Sequence, residues 1–204
     1  MTSSWEESSA AFFDASAWFL ATVDLVGDRW ADPGLGEWDV RALVGHASRS
    51  YSTIETYLEQ PATAVEVVDA VAYYQAIRKF YDTPGVAERG REAGRALGEN
   101  PVAAVHEIAE RVVALVRAKD GSELLTSLGG GMRLVDYLPT RTFELVVHTA
   151  DLCRALGIQA DVPPVAARQA LTVIMDLAMR DGRAGELLLV ATGRPVPSSG
   201  FSIL

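Results

Sequence analysis

Four side chains that can bind metal ions or protons follow one another at helical spacing late in the chain. Arg141, Glu144, His148 and Asp151 are separated by three, four and three residues. At 3.6 residues per turn they lie on one line along a helix. Glu144 and His148 then have Cβ atoms roughly 6 Å apart, which suits two ligands of one divalent ion. The spacing indicates part of a metal site or, in the alternative, an ordinary contact between helical turns.

The helix that carries these groups is apolar on almost every side. Most residues between positions 143 and 156 that lie off the polar line are Leu, Val, Ala or Phe. Such a helix belongs in the protein interior, where a carboxylate and an imidazole need partners. Because one metal ion would satisfy both groups, burial favours the metal site over the surface contact.

A third ligand is available from an earlier helix. This helix is predicted to start after Asp39, a good N-cap residue, and to stop before Pro61. His46 lies on its inner face. Alone, His46 would more often be a core histidine held by hydrogen bonds; with Glu144 and His148 it completes a set of two imidazoles and one carboxylate. Three protein ligands leave one coordination position for water or substrate, as in catalytic zinc sites.

The other two polar residues of the line are predicted to act from outside the ligand set. Arg141 and Asp151 could hold Glu144 or His148 in orientation. A plain contact between neighbouring turns is the equal alternative. If the three ligands share an ion, we expect their ligand atoms within about 4 Å of one another.

Composition and charge limit the class of protein. The 204 residues are 49% hydrophobic and 22% charged, which is typical of a soluble globular protein with one core. The net charge of -9 argues against nucleic-acid partners and anionic membranes, and no apolar run is long enough for a membrane span. The first residues lack the basic start of a signal peptide. With one cysteine, Cys153, predicted to be small and buried, we expect a cytoplasmic protein.

The rest of the chain reads as helices and loops. Long helices are predicted over about 6–26, from Asn100-Pro101 to Lys119, and after Asp161-Val-Pro-Pro. Shorter helical or apolar pieces are predicted over 68–81 and 186–192, and 85–97 as a weak, exposed helix. Loops are predicted over 27–36, over 122–138 as a flexible turn around three glycines, and over 194–204 as an extended tail. His106 is predicted to be a surface or boundary histidine.

Together these elements predict an all-α fold, a single domain over residues 1–204. Four long helices with shorter pieces between them favour a four-helix bundle. In such bundles, metal ligands project inward from facing helices. His46, Glu144 and His148 would meet in this way.

Two stretches resemble a known family. Gly36-Glu-Trp-Asp-Val-Arg-Ala-Leu-Val-Gly-His46 and Arg141-x-x-Glu144-x-x-x-His148-x-x-Asp151 are similar to the two signatures of the mycothiol-dependent maleylpyruvate isomerase N-terminal domain, within the DinB-like superfamily. Leu189-Val-Ala-Thr-Gly-Arg194 is similar to its usual ending. The resemblance implies a DinB-like, metal-binding four-helix bundle with His46, Glu144 and His148 as ligands.

The resemblance also implies a chemistry and partners. A divalent transition metal, for which we expect zinc, would work with a small thiol such as mycothiol on a small electrophile, as a transferase or isomerase. A cation favours the thiolate over the thiol, and Arg141 or Arg49 would assist. The isomerase proper carries a second, C-terminal domain, for which the roughly fifty residues after Asp151 are too few.

Two other functions stay open from the sequence. The first is a helical bundle that binds a metal or small ligand without catalysis. The second is a packing or dimerisation module with no site, which would require His46 to lie far from Glu144. A homodimer is compatible with any of the three.

Overall fold

The computed structural model describes residues 4–80, 85–195 and 201–203. Within these ranges the chain forms eight α-helices and two small antiparallel sheets, and the predicted all-α class is confirmed. The helices are α1 (Trp5–Val23), α2 (Val40–Leu58), α3 (Ala70–Ile77), α4 (Gly85–Ala96), α5 (Pro101–Arg117), α6 (Leu134–Ala155), α7 (Pro164–Arg180) and α8 (Ala184–Ala191). The strands are β1 (Pro33–Leu35) paired with β2 (Trp38–Asp39), and β3 (Leu124–Ser127) paired with β4 (Gly130–Arg133).

Local side-chain chemistry fixes where the long helices begin. The Asp39 side chain accepts a hydrogen bond from the backbone N–H of Ala42 at 2.7 Å, and Asn100 does the same for Ala103 at 3.2 Å. Each contact satisfies one of the unpaired N–H groups of a helix start. Both predicted caps are therefore confirmed.

Helix α6 is the central element of the bundle. It packs against α1, α2, α3 and α7, while α2 also packs against α4 and α5. None of the described helices is both long and apolar enough to cross a membrane. Fully buried side chains from α1, α2 and α6 form the middle of the core: Phe12, Phe19, Leu43, Tyr51, Ile54, Tyr137 and Leu145.

Two predicted loops contain regular structure. Residues 27–36 form a 3₁₀ turn, Arg29–Ala31, and strand β1 rather than a plain connection. Residues 122–138 form the β3–β4 hairpin and the first turns of α6, so the prediction of a flexible turn there is wrong. The backbone oxygen of Gly131 accepts hydrogen bonds from the N–H groups of Glu66 at 2.7 Å and Val67 at 2.9 Å. A Cβ at Gly131 would overlap the Ala64 carbonyl, so this glycine permits close packing.

Helix α4 is also unlike its prediction. The sequence predicts a weak, exposed helix here, but α4 packs closely on α2. Gly94 of α4 and Gly45 of α2 are buried and meet backbone to backbone, so that a Cβ on Gly45 would overlap the Gly94 nitrogen. Arg41 Nε donates to the Gly94 carbonyl at 2.8 Å. Because this contact uses main chain rather than an apolar stripe, hydrophobic periodicity does not reveal it.

Two predicted segments lie partly outside the described residues. Helix α3 is shorter than the predicted 68–81 and is followed by a 3₁₀ turn, Arg78–Phe80; Tyr81 is not among the described residues. Of the predicted extended tail, residues 196–200 and 204 are likewise not described.

Candidate metal centre

His46, Glu144 and His148 come together where α2 packs on α6. One ligand atom from each lies within 4.8 Å of the other two. His148 Nε2 and Glu144 Oε2 are 3.4 Å apart, which equals the separation of about 3.4 Å between two ligands of a tetrahedral ion with bonds of about 2.1 Å. The ligand atoms are thus somewhat farther apart, at up to 4.8 Å, than the separation of about 4 Å expected from the sequence. A packing module with His46 far from Glu144 does not agree with this geometry.

Helix geometry and packing place the three groups. Glu144 and His148 occupy successive turns of α6 and are only 21% and 13% exposed. His46 projects from the second turn of α2. Its ring meets that of His148 edge to face, with centroids 4.8 Å apart and planes at 87°. The two imidazoles therefore approach one point from different helices.

Trp38 packs against the His46 ring and is itself held by a hydrogen bond to α4. The Trp38 ring lies 4.5 Å from the His46 ring, and its Nε1 donates to the Ala87 carbonyl of α4 at 2.9 Å. Nδ1 of His46 is buried and makes no hydrogen bond within the described part of the chain. A buried polar atom without a partner is uncommon. A metal ion is one partner that an imidazole in this state can take.

Tyr74 of α3 is a contact that the sequence did not reveal. Its hydroxyl lies 3.0 Å from Glu144 Oε1 and donates to it, while the Thr140 carbonyl is 3.2 Å away. Glu144 thus directs Oε2 to His148 and Oε1 to Tyr74. In the sequence, Tyr74 reads only as one apolar residue of a helical stripe, and its position seventy residues before Glu144 gives no sign of contact.

Asp151 lies beside His148 on the next turn of α6. Its Oδ2 is 3.2 Å from His148 Nδ1, on the opposite edge of the ring from Glu144. An Nδ1–H that donates to Asp151 leaves Nε2 directed at Glu144 and His46. Carboxylates commonly orient metal-binding imidazoles in this way.

Arg141 is close to the site, but in the described structure it makes no hydrogen bond with Glu144. The residue is only 7% exposed, and its Nε donates to Thr140 Oγ1 at 3.0 Å. Its guanidinium lies over the rings of Tyr137 and Tyr73, 4.9 Å and 5.7 Å from their centroids. No ion pair within 4 Å joins it to Glu144 in the described structure. The charge of Arg141 contributes to lowering the pKa of Glu144 and of His46.

Residues 10–153 match the model of the mycothiol maleylpyruvate isomerase N-terminal domain. The chain belongs to this family. The match covers more than half of the chain and includes His46, Glu144 and His148. No curated protein and no solved structure matches the chain significantly.

Burial and neighbouring charges give the three groups different protonation states. Burial, followed by the charge of His148, lowers the pKa of His46 to about 4. Burial also disfavours charged His148, but Asp151 and Glu144 outweigh it and raise the pKa to about 9. For Glu144, burial is outweighed by the hydrogen bond from His148 and by the charge of Arg141, so that the pKa falls to about 2. At pH 7, His46 is neutral, His148 is protonated and Glu144 is ionised.

Among the described residues, neither the remaining histidine nor the cysteine belongs to the group formed by His46, Glu144 and His148. His106 is partly exposed, and its Nε2 is 2.9 Å from Asp24 Oδ1, which agrees with the predicted boundary position. Cys153 is buried, and burial raises the pKa of its thiol. A protonated, buried thiol is a poor nucleophile.

Proposed function

We propose that His46, Glu144 and His148 bind one divalent transition-metal ion. Their convergence from two helices is the observation that carries the proposal. The donor set supports it, because two imidazole nitrogens and one carboxylate suit zinc as well as nickel, cobalt or iron. We propose zinc as the ion. Three protein ligands would leave a fourth position for a substrate atom.

The neighbouring residues have distinct roles in this proposal. Asp151 accepts the Nδ1–H of His148 and keeps Nε2 directed at the site. Tyr74 donates to Glu144 Oε1 and leaves Oε2 as the ligand atom. The charges of Arg49 and Arg141 help to keep His46 unprotonated, so that its lone pair is available. Each of these residues acts on a ligand rather than on the substrate.

We further propose that the protein uses a low-molecular-weight thiol to transfer or isomerise a small electrophile. The family description, which names mycothiol, supports this choice of thiol. A bound divalent ion would favour the thiolate, which is the nucleophile, over the thiol. The protein supplies no reactive thiol near the centre, because its one cysteine is buried and has a raised pKa. A reducing cytoplasm is the proposed location, since the cysteine is free.

Elemental analysis of untagged protein tests the metal site. We expect about one ion per chain in the wild type and in His106→Ala, which removes a histidine outside the centre. His148→Ala should remove the ion and any thiol-dependent activity together. Stoichiometric metal in His148→Ala would show that the ligands are wrongly assigned.

Calorimetry with mycothiol tests the thiol. Zinc-loaded protein should bind it far more tightly than chelator-treated protein. Because the ion lowers the thiol pKa from about 8.5, binding near neutral pH should release a proton. Measuring both protein samples in two buffers of different ionisation enthalpy gives the affinity for mycothiol and the number of protons released. Equal affinity in the two samples, or no proton release, would favour a metal-binding bundle without thiol chemistry.

A further inference from the structure

Helices α7 and α8 carry most of the large apolar side chains that the protein exposes. Eleven such side chains are exposed in the described structure, and seven of them belong to these two helices: Val165, Leu171, Met175, Met179, Leu188, Leu189 and Val190. The four on α7 are between 44% and 60% exposed, and α8 buries no residue. We call the exposed side of residues 164–191 the α7–α8 face. Clustered apolar side chains of this kind are typical of a surface that binds another protein.

The α7–α8 face differs in charge from the rest of this acidic protein. Residues 164–191 contain three arginines and three acidic residues, whereas the whole chain has a net charge of -9. Two copies of the chain would therefore repel each other least where these segments meet. A segment without net charge also has little attraction for a strongly charged partner. The charge thus favours a second copy of this chain as the occupant of the face.

Charged and apolar residues of α7 are placed evenly about Thr172. Arg168 and Asp176 lie four residues before and after it, and Val165 and Met179 lie seven residues before and after it. At 3.6 residues per turn, all five share one side of the helix. The buried side of α7 is formed by other positions: Ala166, Gln169, Ala170, Val173, Leu177 and Ala178. The exposed side is therefore complementary to the same side of a second α7 that runs in the opposite direction.

Arg168 and Asp176 make no ion pair within the chain. Among the described residues, neither has an oppositely charged partner within 4 Å. They are eight residues apart, about 12 Å along the helix, which is too far for them to pair with each other. Arg180, one turn after Asp176, pairs with Asp69 at 2.8 Å instead. Both charges are thus available to a partner from outside the chain.

A two-fold axis beside Thr172 would pair both residues at once. In a two-fold interface, when residue i contacts residue j of the partner, j also contacts i. An antiparallel α7 from a second copy brings Arg168 level with the partner's Asp176, and Val165 level with the partner's Met179. The apolar contacts would supply most of the free energy of association, because an exposed ion pair contributes little. The ion pairs would fix the register of the two helices.

We propose that two copies of this chain associate through the α7–α8 face, with antiparallel α7 helices and with Arg168 of each copy paired to the partner's Asp176. Helix α8 extends the apolar surface beside this contact. The dimer goes beyond the metal-dependent function and does not depend on it, because neither helix supplies a residue to the group of His46, Glu144 and His148.

Sedimentation equilibrium of the wild type and of charge variants tests the proposal. We expect a dimer at about 100 µM protein, which populates complexes with micromolar dissociation constants. Arg168→Glu places like charges opposite each other twice and should weaken association about tenfold or more, as should Asp176→Arg. The combined variant Arg168→Glu/Asp176→Arg restores opposite charges and should return to within about threefold of the wild type. A monomeric wild type, unaffected single variants, or no recovery in the combined variant would overturn the proposal.

Met179→Glu tests the apolar part of the face. Burying an unpaired carboxylate is unfavourable, so this variant should weaken association about tenfold or more. Leu25→Glu is the matched control, because Leu25 is 56% exposed, close to the 60% of Met179, and lies outside α7 and α8. It should change the affinity less than about twofold. Equal weakening by the two substitutions would show that association does not use the α7–α8 face.

Cross-linking next to the axis tests the arrangement without removing a contact. Thr172→Cys places two thiols beside the axis, so a short bis-maleimide should link the two chains, while the native Cys153 is buried. Ser52→Cys, exposed on α2, is the control and should give no linked dimer. Linkage in both variants, or none with Thr172→Cys, would overturn the two-fold arrangement. If circular dichroism shows that a charge variant is unfolded, this result decides.

One further variant separates the dimer from the metal centre. His148→Ala should dimerise as the wild type does, whether or not the centre binds zinc. Failure of the metal proposal would therefore leave the sedimentation and cross-linking results unchanged. Loss of the dimer in folded His148→Ala would show that association depends on the centre and would overturn the proposal.

Discussion

Zinc affinity at the centre should rise about tenfold for each pH unit between pH 6 and 8. In metal-free protein the pKa of His148 is about 9, because Asp151 and Glu144 outweigh the effect of burial. A metal-binding imidazole must be neutral, so each zinc ion bound displaces one proton from His148. His46 contributes no proton, because its pKa of about 4 keeps it neutral over this range.

The size of the effect follows from the distance between pH and pKa. At pH 7 the pKa of His148 lies about two units above the pH, which corresponds to about 2.7 kcal/mol, or about a hundredfold in apparent affinity. The same shift affects folding. Since the folded pKa is raised, the contribution of His148 to stability is present below the unfolded value of about 6.5 and disappears as the pH rises through about 9.

Competition with a fluorescent zinc indicator, corrected for protonation of the indicator, gives the pH slope. Calorimetry at pH 7 in two buffers gives the proton count, for which we expect about one. Asp151→Asn removes a charge that raises the pKa of His148. The zinc affinity of this variant should therefore stop rising with pH at a lower pH than that of the wild type. A wild-type affinity that stays constant between pH 6.5 and 8 would show that His148 is neutral in the metal-free protein. Two protons released would show that His46 is also charged.

Three further predictions test the supports of the centre and of the bundle. Tyr74→Phe removes the hydrogen bond to Glu144 and should weaken zinc binding about tenfold to a hundredfold by indicator competition; an unchanged affinity would contradict the role of Tyr74. Gly45→Ala should lower the free energy of unfolding in urea by about 2–3 kcal/mol, since its Cβ meets backbone. Gly185→Ala, on α8 with open space around it, is the control and should be neutral or slightly stabilising. His106→Ala should leave zinc affinity unchanged within twofold, and a larger loss would implicate this histidine in the centre.

The candidate metal site could be predicted from the sequence because two of its three residues are neighbours on one helix. Glu144 and His148 are one helical turn apart, so their relation needs only the period of a helix. His46 required one further step, the packing of two apolar helix faces. Tyr74 was not predictable, because a tyrosine on an apolar stripe gives no sign of which side chain its hydroxyl meets.

The errors in the fold have physical causes of a different kind. The β3–β4 hairpin is not predictable from the sequence, because Gly129 to Gly131 show no alternation of apolar and polar residues. These glycines instead allow neighbouring segments to pack closely. Helix α4 was judged exposed because it has no apolar stripe. In both cases backbone atoms make close packing contacts, and hydrophobic periodicity reports only on side chains.

The contact between Gly45 and Gly94 has a consequence for the ligand that follows it. Side chains between two helices can adjust to small shifts by changing rotamer, but two touching backbones cannot. Gly45 directly precedes His46, and α4 also holds Trp38, which stacks on His46. Helix α4 supplies no ligand, yet any displacement of it must move His46 relative to α6. If the centre binds an ion as proposed, substitutions that displace α4 should therefore change the affinity for that ion.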